Sequence, residues 1–535
     1  MVTLKLYVRR ANVRFGQCQA LAAVLILLAL SLPAVTQVSV TTHHNDNART
    51  GQNLDETLLT LANVNTKQFG ELFSQPVDGI VVGQPLYLPN LLINGAIHNV
   101  VFVTTLHDSV YAFDADSNTG SNAAALWHTV FIDIANGTTT APIQLQGCAY
   151  TGFNEVGIVG TPVIDPTTGT LYVVAKTLEN GVYVHRLHAL DVATGRAKFG
   201  GPVVIYASVT INGKKITFAD RHHMQRPALL LSNGLIYIAF GTMGCKSYPP
   251  STGWLMAYEA SNLKQMSVLD VAPAEEALPG IWMAGDGPAA DSNGDVYVAT
   301  GDGAFDYSTG GLDYGDTLFK LTLGNGAFTL GDYFTPYNQA ELYSEDLDLG
   351  SSGPVLLPDQ SSKTPHLAVI AGKQGMIYLI NRDNMGQYDP VIDQVVQEEP
   401  FEPNVEAEID GGATYWNDRV YFGGWGYHVK SFSLTNGVLS SEPVAKSSST
   451  HHTSSLFSIS ANGTKNGILW GLERNNGSSA LDAFNATNLD LLYSSSQNPG
   501  RDPIGETSHF VLPTIANGKV YVGTTNSLVV TGLLP

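Results

Sequence analysis

The chain has 535 residues, with 27 basic against 47 acidic side chains and a net charge of −20. Charged residues make up only 14% while apolar residues reach 44% and glycine accounts for 54 positions, which excludes a disordered chain and describes a turn-rich β protein. So acidic a chain repels a phosphate backbone, which excludes a nucleic-acid partner.

The amino terminus reads as an address. Lys5, Arg9, Arg10 and Arg14 precede the apolar run Ala20–Leu32, followed by Pro33-Ala34-Val35-Thr36. A basic region, a short apolar run and small residues describe a secretory signal over 1–36, with an uncleaved amino-terminal anchor as the alternative. The expected location is therefore periplasmic or extracellular, at the inner membrane if the segment stays. Any membrane contact would pass through that segment alone. Cys148 and Cys245 would be the two cysteines of the mature chain, either one disulfide or two isolated thiols. A single bridge between them is the reading adopted.

From about residue 84 to the end, one unit repeats. Its clearest strand recurs as "VVFVTT" at 100–105, "TLYVVA" at 170–175, "LIYIAF" at 235–240, "DVYVAT" at 295–300, "LAVIAG" at 367–372, "RVYFGG" at 419–424, "GILWGL" at 467–472 and "KVYVGT" at 519–524. Four short strands per unit at such spacing predict the blades of a β-propeller. The fold class is all-β, a single propeller of eight four-stranded blades, or seven if the weak repeats near 367 or 469 merge. In "ALDVATG" (189–195), Asp191 can accept hydrogen bonds from the backbone that follows it, and Gly195 can take a positive φ. The aromatics after this turn type, Trp127 and Phe199, are expected to pack between blades. "DADSNTG" (114–120), superficially a calcium loop, reads as another such hairpin turn.

The last copy has residues for only three strands, whereas "GELFSQPVDG" (70–79) reads as an unpaired fourth strand. A ring whose first strand completes its last blade leaves no exposed edge. Domain boundaries follow: 1–36 signal or anchor, 37–83 an amino-terminal segment with the closing strand, 84–535 the propeller.

Propeller ligands sit at a channel mouth, near the loops leading into the innermost strands. Those loops supply Glu155, His222, His223, Arg226, Trp282, Asp286, Asp346, Asp348, Glu408 and Asp410. Lys373 and Trp282 would suit a planar anion, one by charge and one by stacking. The acids Asp346, Asp348, Glu408 and Asp410 are candidates for a hard cation. Three histidine pairs stand out: His43-His44, His222-His223 and His451-His452. Neighbours on a strand point to opposite faces, so one pair is not expected to clamp a metal. Pairs from different blades meeting at the channel could. No G-x-S-x-G elbow, H-E-x-x-H helix or phosphate-binding loop occurs.

Ala189-x-Asp191-x-x-Thr194-Gly195-x-x-x-Phe199 resembles the tryptophan-docking repeat of quinoprotein dehydrogenases, with Phe for Trp. "HNDNARTGQN" (44–53), "HDSVYAFDAD" (107–116), "GIWMAGDGPAAD" (280–291), "GKQGMIYLINRDNMG" (372–386) and "PTIANGKVYVGTTNSL" (513–528) are similar to exported bacterial propeller proteins of the pyrroloquinoline-quinone type. The resemblance implies pyrroloquinoline quinone and Ca²⁺ as cofactors of an alcohol or sugar dehydrogenase, with Asp286 as the candidate base. The chain departs from those enzymes in having no adjacent cysteines and no C-x-x-C-H haem site. The expectation is therefore a monomeric cell-envelope binding protein without quinone catalysis. It would take a small molecule or an envelope protein at the propeller mouth.

Overall fold

The computed structural model describes residues 37–143, 153–242, 252–273, 280–452, 456–475 and 477–535. One compact unit runs Val38–Pro535. Cys148 and Cys245 lie outside the described residues, so the expected disulfide does too.

Eight antiparallel sheets radiate from a central channel, and the blades follow chain order. Blade one holds Leu86–Ile93, Ala96–Thr104, Ser109–Asp114 and Trp127–Val130. The innermost strands of blades two to eight are Val163–Asp165, Leu230–Ser232, Ala289–Ala290, Val355–Leu356, Thr414–Trp416, Ser458–Asn462 and Thr514–Ala516. Each of the eight sequence repeats falls on the second strand of its blade. The only α-helix among the described residues is the short Gln339–Glu345.

Closure comes from the amino-terminal side. Phe69–Pro76 pairs antiparallel with the last strand, Ser527–Leu533, from Phe69 opposite Leu533 to Pro76 opposite Ser527. It is the fourth strand of blade eight, and it leaves the ring without an open seam. Arg501 fastens it, donating to the carbonyls of Thr66 (3.0 Å) and Phe69 (2.9 Å).

Apolar side chains alternate along the strands and meet between blades, so the core is a set of inter-blade layers. Tyr172, Leu187 and Ile205 of blade two pack with Ile236, Phe240 and Trp254 of blade three, for example. The repeated tyrosine adds a polar pin. Tyr172 donates to the Ala260 carbonyl, Tyr421 to Ala486 and Tyr521 to Ala115, each across to the next blade. The turn at 189–195 forms as its residues dictate: the Asp191 carboxylate accepts from the Ala193 N–H (3.1 Å), and Gly195 has φ +67°. Trp127 docks on that turn, its Nε1–H donating to the Val192 carbonyl at 2.9 Å. A Cβ on Gly195 would lie 2.5 Å from the indole, so this approach requires glycine. Phe199 does not follow Trp127. It sits at φ +55° before Gly200-Gly201 and is 40% exposed, because the strand begins only at Val203 and the turn carries the ring outward. Asp114 accepts from the N–H groups of Asp116 and Ser117 (both 2.9 Å), the expected hairpin turn.

Inside the ring lies a feature that periodicity does not announce. Residues 40–53 wind once around the channel and hydrogen-bond to the innermost strand of every blade in turn. Val40 exchanges backbone bonds with Tyr87 of blade one, and the Thr41 carbonyl accepts from Ile164 of blade two. The Asn47 side chain donates to the Leu231 carbonyl of blade three, and its own carbonyl accepts from Ala290 of blade four. The carbonyls of Ala48, Thr50 and Gly51 accept from Leu356, Tyr415 and Ile459 of blades five to seven. The Asn53 side chain finishes at the Ile515 carbonyl of blade eight. All eight innermost strands thus find a partner on their channel edge. The curvature is tight, and His44, Asn45, Arg49 and Gly51 all take positive φ. Arg49, 1% exposed, holds the coil together. It donates to the carbonyls of Pro288 (3.0 Å), His43 (2.9 Å) and Leu229 (3.2 Å) and to the Thr42 hydroxyl (2.7 Å).

Candidate functional site

The loops leading into the innermost strands converge on one funnel-shaped cavity of about 640 Å³. Arg226, Trp282, Asp346, Asp348, Lys373, Glu408 and Asp410 all line it, so seven residues singled out from sequence meet there. Asp302, Arg474, Glu506, His509 and Phe510 join them, with Ile80, Val82, Phe153 and Val159 on the apolar side. Sequence reading missed this second group. Arg474 lies in the second strand of blade seven, and Phe510 in the loop before blade eight, where no repeat position marks them.

Lys373 is not a free cation. Its ammonium lies 2.5 Å from Asp348 and 3.2 Å from Asp346. Burial works against its charge, but the two carboxylates outweigh that and hold it protonated well above the ordinary range. Asp348, buried, also accepts from the Asp302 N–H. The Arg226 guanidinium stacks over the Phe510 ring at 4.1 Å. Trp282 is half-buried, and a Cβ on Gly241 would lie 2.6 Å from its ring, so backbone presses directly on the indole. Asp410 is pushed up to about 7, first by burial and then by the neighbouring Glu408 carboxylate.

Four candidates lie apart from the cavity lining. Glu155 accepts from the His107 Nδ1–H at 3.0 Å on the adjoining loops. His223 is buried in blade three, clamped between the carbonyls of Ala219 (2.7 Å) and Thr252 (2.8 Å), and burial lowers it to about 4. Its neighbour His222 is the last residue of a short turn, Asp220–His222, on the same blade.

Asp286 is the fourth, and its setting differs from a turn cap. The chain approaches it through three successive left-handed residues, Met283 (φ 46°), Ala284 (φ 45°) and Gly285 (φ 92°). Ala284 still lines the funnel, while Asp286, two residues on, is 1% exposed and turned into the channel. Its Oδ1 accepts from His43 Nε2 at 2.8 Å and its Oδ2 from the Gly353 N–H at 3.1 Å. A Cβ on Gly353 or on Gly412 would lie 2.6 Å from this side chain, so glycine at both loops lets the carboxylate in. Burial alone would raise its pKa, but the His43 hydrogen bond, the histidine pair and the Gly353 N–H together lower it, so it is a carboxylate at neutral pH. His44 lies against the same oxygen, with Nδ1 at 3.9 Å. The other two histidine pairs find partners of their own: His451 bonds Asp482 (2.8 Å), and both His451 (3.3 Å) and His452 (2.9 Å) reach Glu473. Pairs from different blades therefore do not meet. His43 and His44 also converge on a single acid, contrary to the strand argument; His44 is left-handed rather than extended and both rings turn to the same side.

No protein-family model and no curated protein matches the chain. Solved structures do match. A quinohemoprotein alcohol dehydrogenase from Comamonas testosteroni aligns with a TM-score of 0.59 at 15% identity, covering 96% of this chain and 84% of that one. A second quinohemoprotein alcohol dehydrogenase, from Pseudomonas putida HK5, gives 0.60 at 13%, covering 94% and 82%. A europium-containing methanol dehydrogenase gives 0.60 at 11%, covering 93% and 98%. This chain has the propeller fold of the quinoprotein alcohol dehydrogenases. At such identities the likeness is one of fold, and the site must speak for its own chemistry.

Pyrroloquinoline quinone, which that fold brings to mind, is a tricarboxylate. The described residues do not fit it. Six carboxylates line the funnel against Arg226, Lys373 and Arg474, and Lys373 is already neutralised twice over. Nor do Asp346, Asp348, Glu408 and Asp410 bring three ligand atoms together for Ca²⁺. Among the described residues, only His43, His44 and Asp286 cluster within 4.8 Å.

Proposed function

We propose that the protein is an exported binding protein whose funnel takes a small organic cation, without quinone-dependent oxidation. The carrying observation is the charge of a single cavity: Asp302, Asp346, Asp348, Glu408, Asp410 and Glu506 face three cations across a half-apolar wall. A low-dielectric concave site of one sign focuses the field and concentrates counter-ions. Trp282 and Phe510 offer rings to an amine's organic body, and Asp410 gains its charge near pH 7, so affinity rises with pH through that range. Export rests on the basic and apolar pattern of residues 1–36.

The test is calorimetric titration of the mature chain with an arylalkylamine, the matching arylalkyl carboxylate, and pyrroloquinoline quinone with Ca²⁺. The amine alone should bind, about tenfold more weakly in Asp410→Asn, consistent with loss of roughly 1.4 kcal/mol of charge interaction. Preferential binding of either anion, or dye-linked alcohol oxidation after reconstitution with the quinone, would overturn the reading in favour of a quinoprotein dehydrogenase.

A further inference from the structure

We propose that His43, His44 and Asp286 form a buried binding site for one first-row divalent transition cation of the zinc or iron(II) class, which locks the channel coil to the funnel loop. The three residues come from two segments far apart in sequence. Their ligand atoms lie within 4.8 Å of one another, with none of the three side chains exposed. Two imidazoles and one carboxylate are a donor set that imidazole-preferring metals favour over Ca²⁺ or Mg²⁺.

Hydrogen bonding indicates a ligand more specifically than proximity does. His44 Nε2 lies 2.9 Å from the Phe457 carbonyl, which can only accept, so the ring proton is on Nε2. With the proton held on Nε2, the neutral ring presents Nδ1 as a bare lone pair. That Nδ1 has no hydrogen-bond partner, is fully buried, and faces the Asp286 Oδ1 lone pairs across 3.9 Å. Two facing lone pairs in a dry site repel, and a cation between them removes the conflict. On the other side, His43 Nε2 touches the same Oδ1 at 2.8 Å, while its Nδ1 lies 3.4 Å from the Thr161 hydroxyl. A cation at ~2.0–2.1 Å from each ligand sets them roughly 2.9–3.4 Å apart, between the two separations seen.

The proton balance closes within the site. As the metal takes His43 Nε2, the ring proton moves to Nδ1, where Thr161 Oγ1 accepts it. Each ligand would then have an outer partner: Thr161 for His43, the Phe457 carbonyl for His44 and the Gly353 N–H for Asp286. Metal-bound histidines ordinarily carry such a partner on the far nitrogen.

The experiment uses the full chain, purified without chelator, with bound metals quantified by mass spectrometry. It is then unfolded and refolded in EDTA, Zn²⁺ or Co²⁺. About one equivalent of transition metal per chain is expected. The Co²⁺ form should show ligand-field absorption, and metal-refolded protein should melt higher than the EDTA form. His44→Gln keeps the hydrogen bond to Phe457 in reach but removes the ligand, and should lower metal affinity by about 10–100-fold. Wild-type protein that refolds to the same melting temperature in EDTA as in Zn²⁺, with only trace metal from any cation, would overturn the proposal. So would stoichiometric metal retained undiminished in both His44→Gln and Asp286→Asn. If His44→Gln fails to fold, the wild-type metal content and Co²⁺ spectrum still decide.

Discussion

Removing the guanidinium of Arg49 tests whether the channel coil is structural framework or mere filling. Arg49→Met keeps the aliphatic stem and deletes four hydrogen bonds, three of them to the carbonyls of Pro288, His43 and Leu229 in a site closed to water. Leaving a buried carbonyl without its donor costs about 1–3 kcal/mol each. Against that sum, the variant no longer buries a charge, whose desolvation is large enough to lower the arginine to about 10. The balance expected is a loss of about 3–5 kcal/mol. A unit of about 500 residues loses roughly 1 °C of melting temperature per kcal/mol, because unfolding entropy scales with length. Differential scanning calorimetry at fixed scan rate should therefore show a drop of about 3–5 °C by that scaling. Hydrogen exchange should show faster labelling of residues 40–53 and of the innermost strands that they partner. Arg49→Lys, with one nitrogen in place of a fork, should fall between the two. A melting temperature unchanged within a degree, with the coil amides still protected, would refute the reasoning.

Phe69→Ala addresses ring closure: the ring is fully buried against Trp470 (5.3 Å) and Tyr493 (5.0 Å), so the loss should be about 3–5 kcal/mol, with Phe69–Pro76 becoming cleavable by protease. A variant as stable and as protease-resistant as wild type would show that the closing strand contributes nothing. His188 is buried on the Phe131 ring, and burial lowers it to about 3, below the 6.5 of an exposed histidine. Its contribution is thus present above pH 6.5 and lost as pH falls from there toward 3, since the unfolded chain takes the proton first. His188→Phe should shrink the fall in melting temperature between pH 7 and pH 5, and an unchanged fall would exclude this histidine as a source. Asp410 behaves oppositely: raised to about 7, it favours folding below the ordinary carboxylate range and loses that advantage as pH climbs to 7. Asp410→Asn should flatten that part of the stability profile, as measured by melting temperature. Cys148 and Cys245 are predicted to be joined, closing a loop that on chain-entropy grounds contributes roughly 4–5 kcal/mol, and peptide mass mapping that finds two free thiols would disprove it.

Local chemistry in the chain already determined the propeller. A strand of "VYVAT" type is half-buried by alternation wherever it falls, and the Asp191–Gly195 turn forms from its own donors, acceptors and positive φ, so blade number and order were legible. The missing fourth strand of the last copy even pointed to Phe69–Pro76 as its replacement, because sheet edges must be paired. Much of the funnel could be read too, since seven of its residues lie on loops whose place in each repeat is constant. What only the tertiary structure decided has no period. Residues 40–53 pair with eight strands up to 462 positions away, and nothing in "HHNDNARTGQN" shows that the segment answers the blades one after another. The same holds for His43, His44 and Asp286. Two adjacent histidines bend to one side only because position 44 is left-handed. Asp286 is buried only because three successive left-handed residues and the glycines of two other blades let it in. Repetition writes the strands into the sequence, but the unrepeated contacts at the channel's centre exist only once the ring has closed.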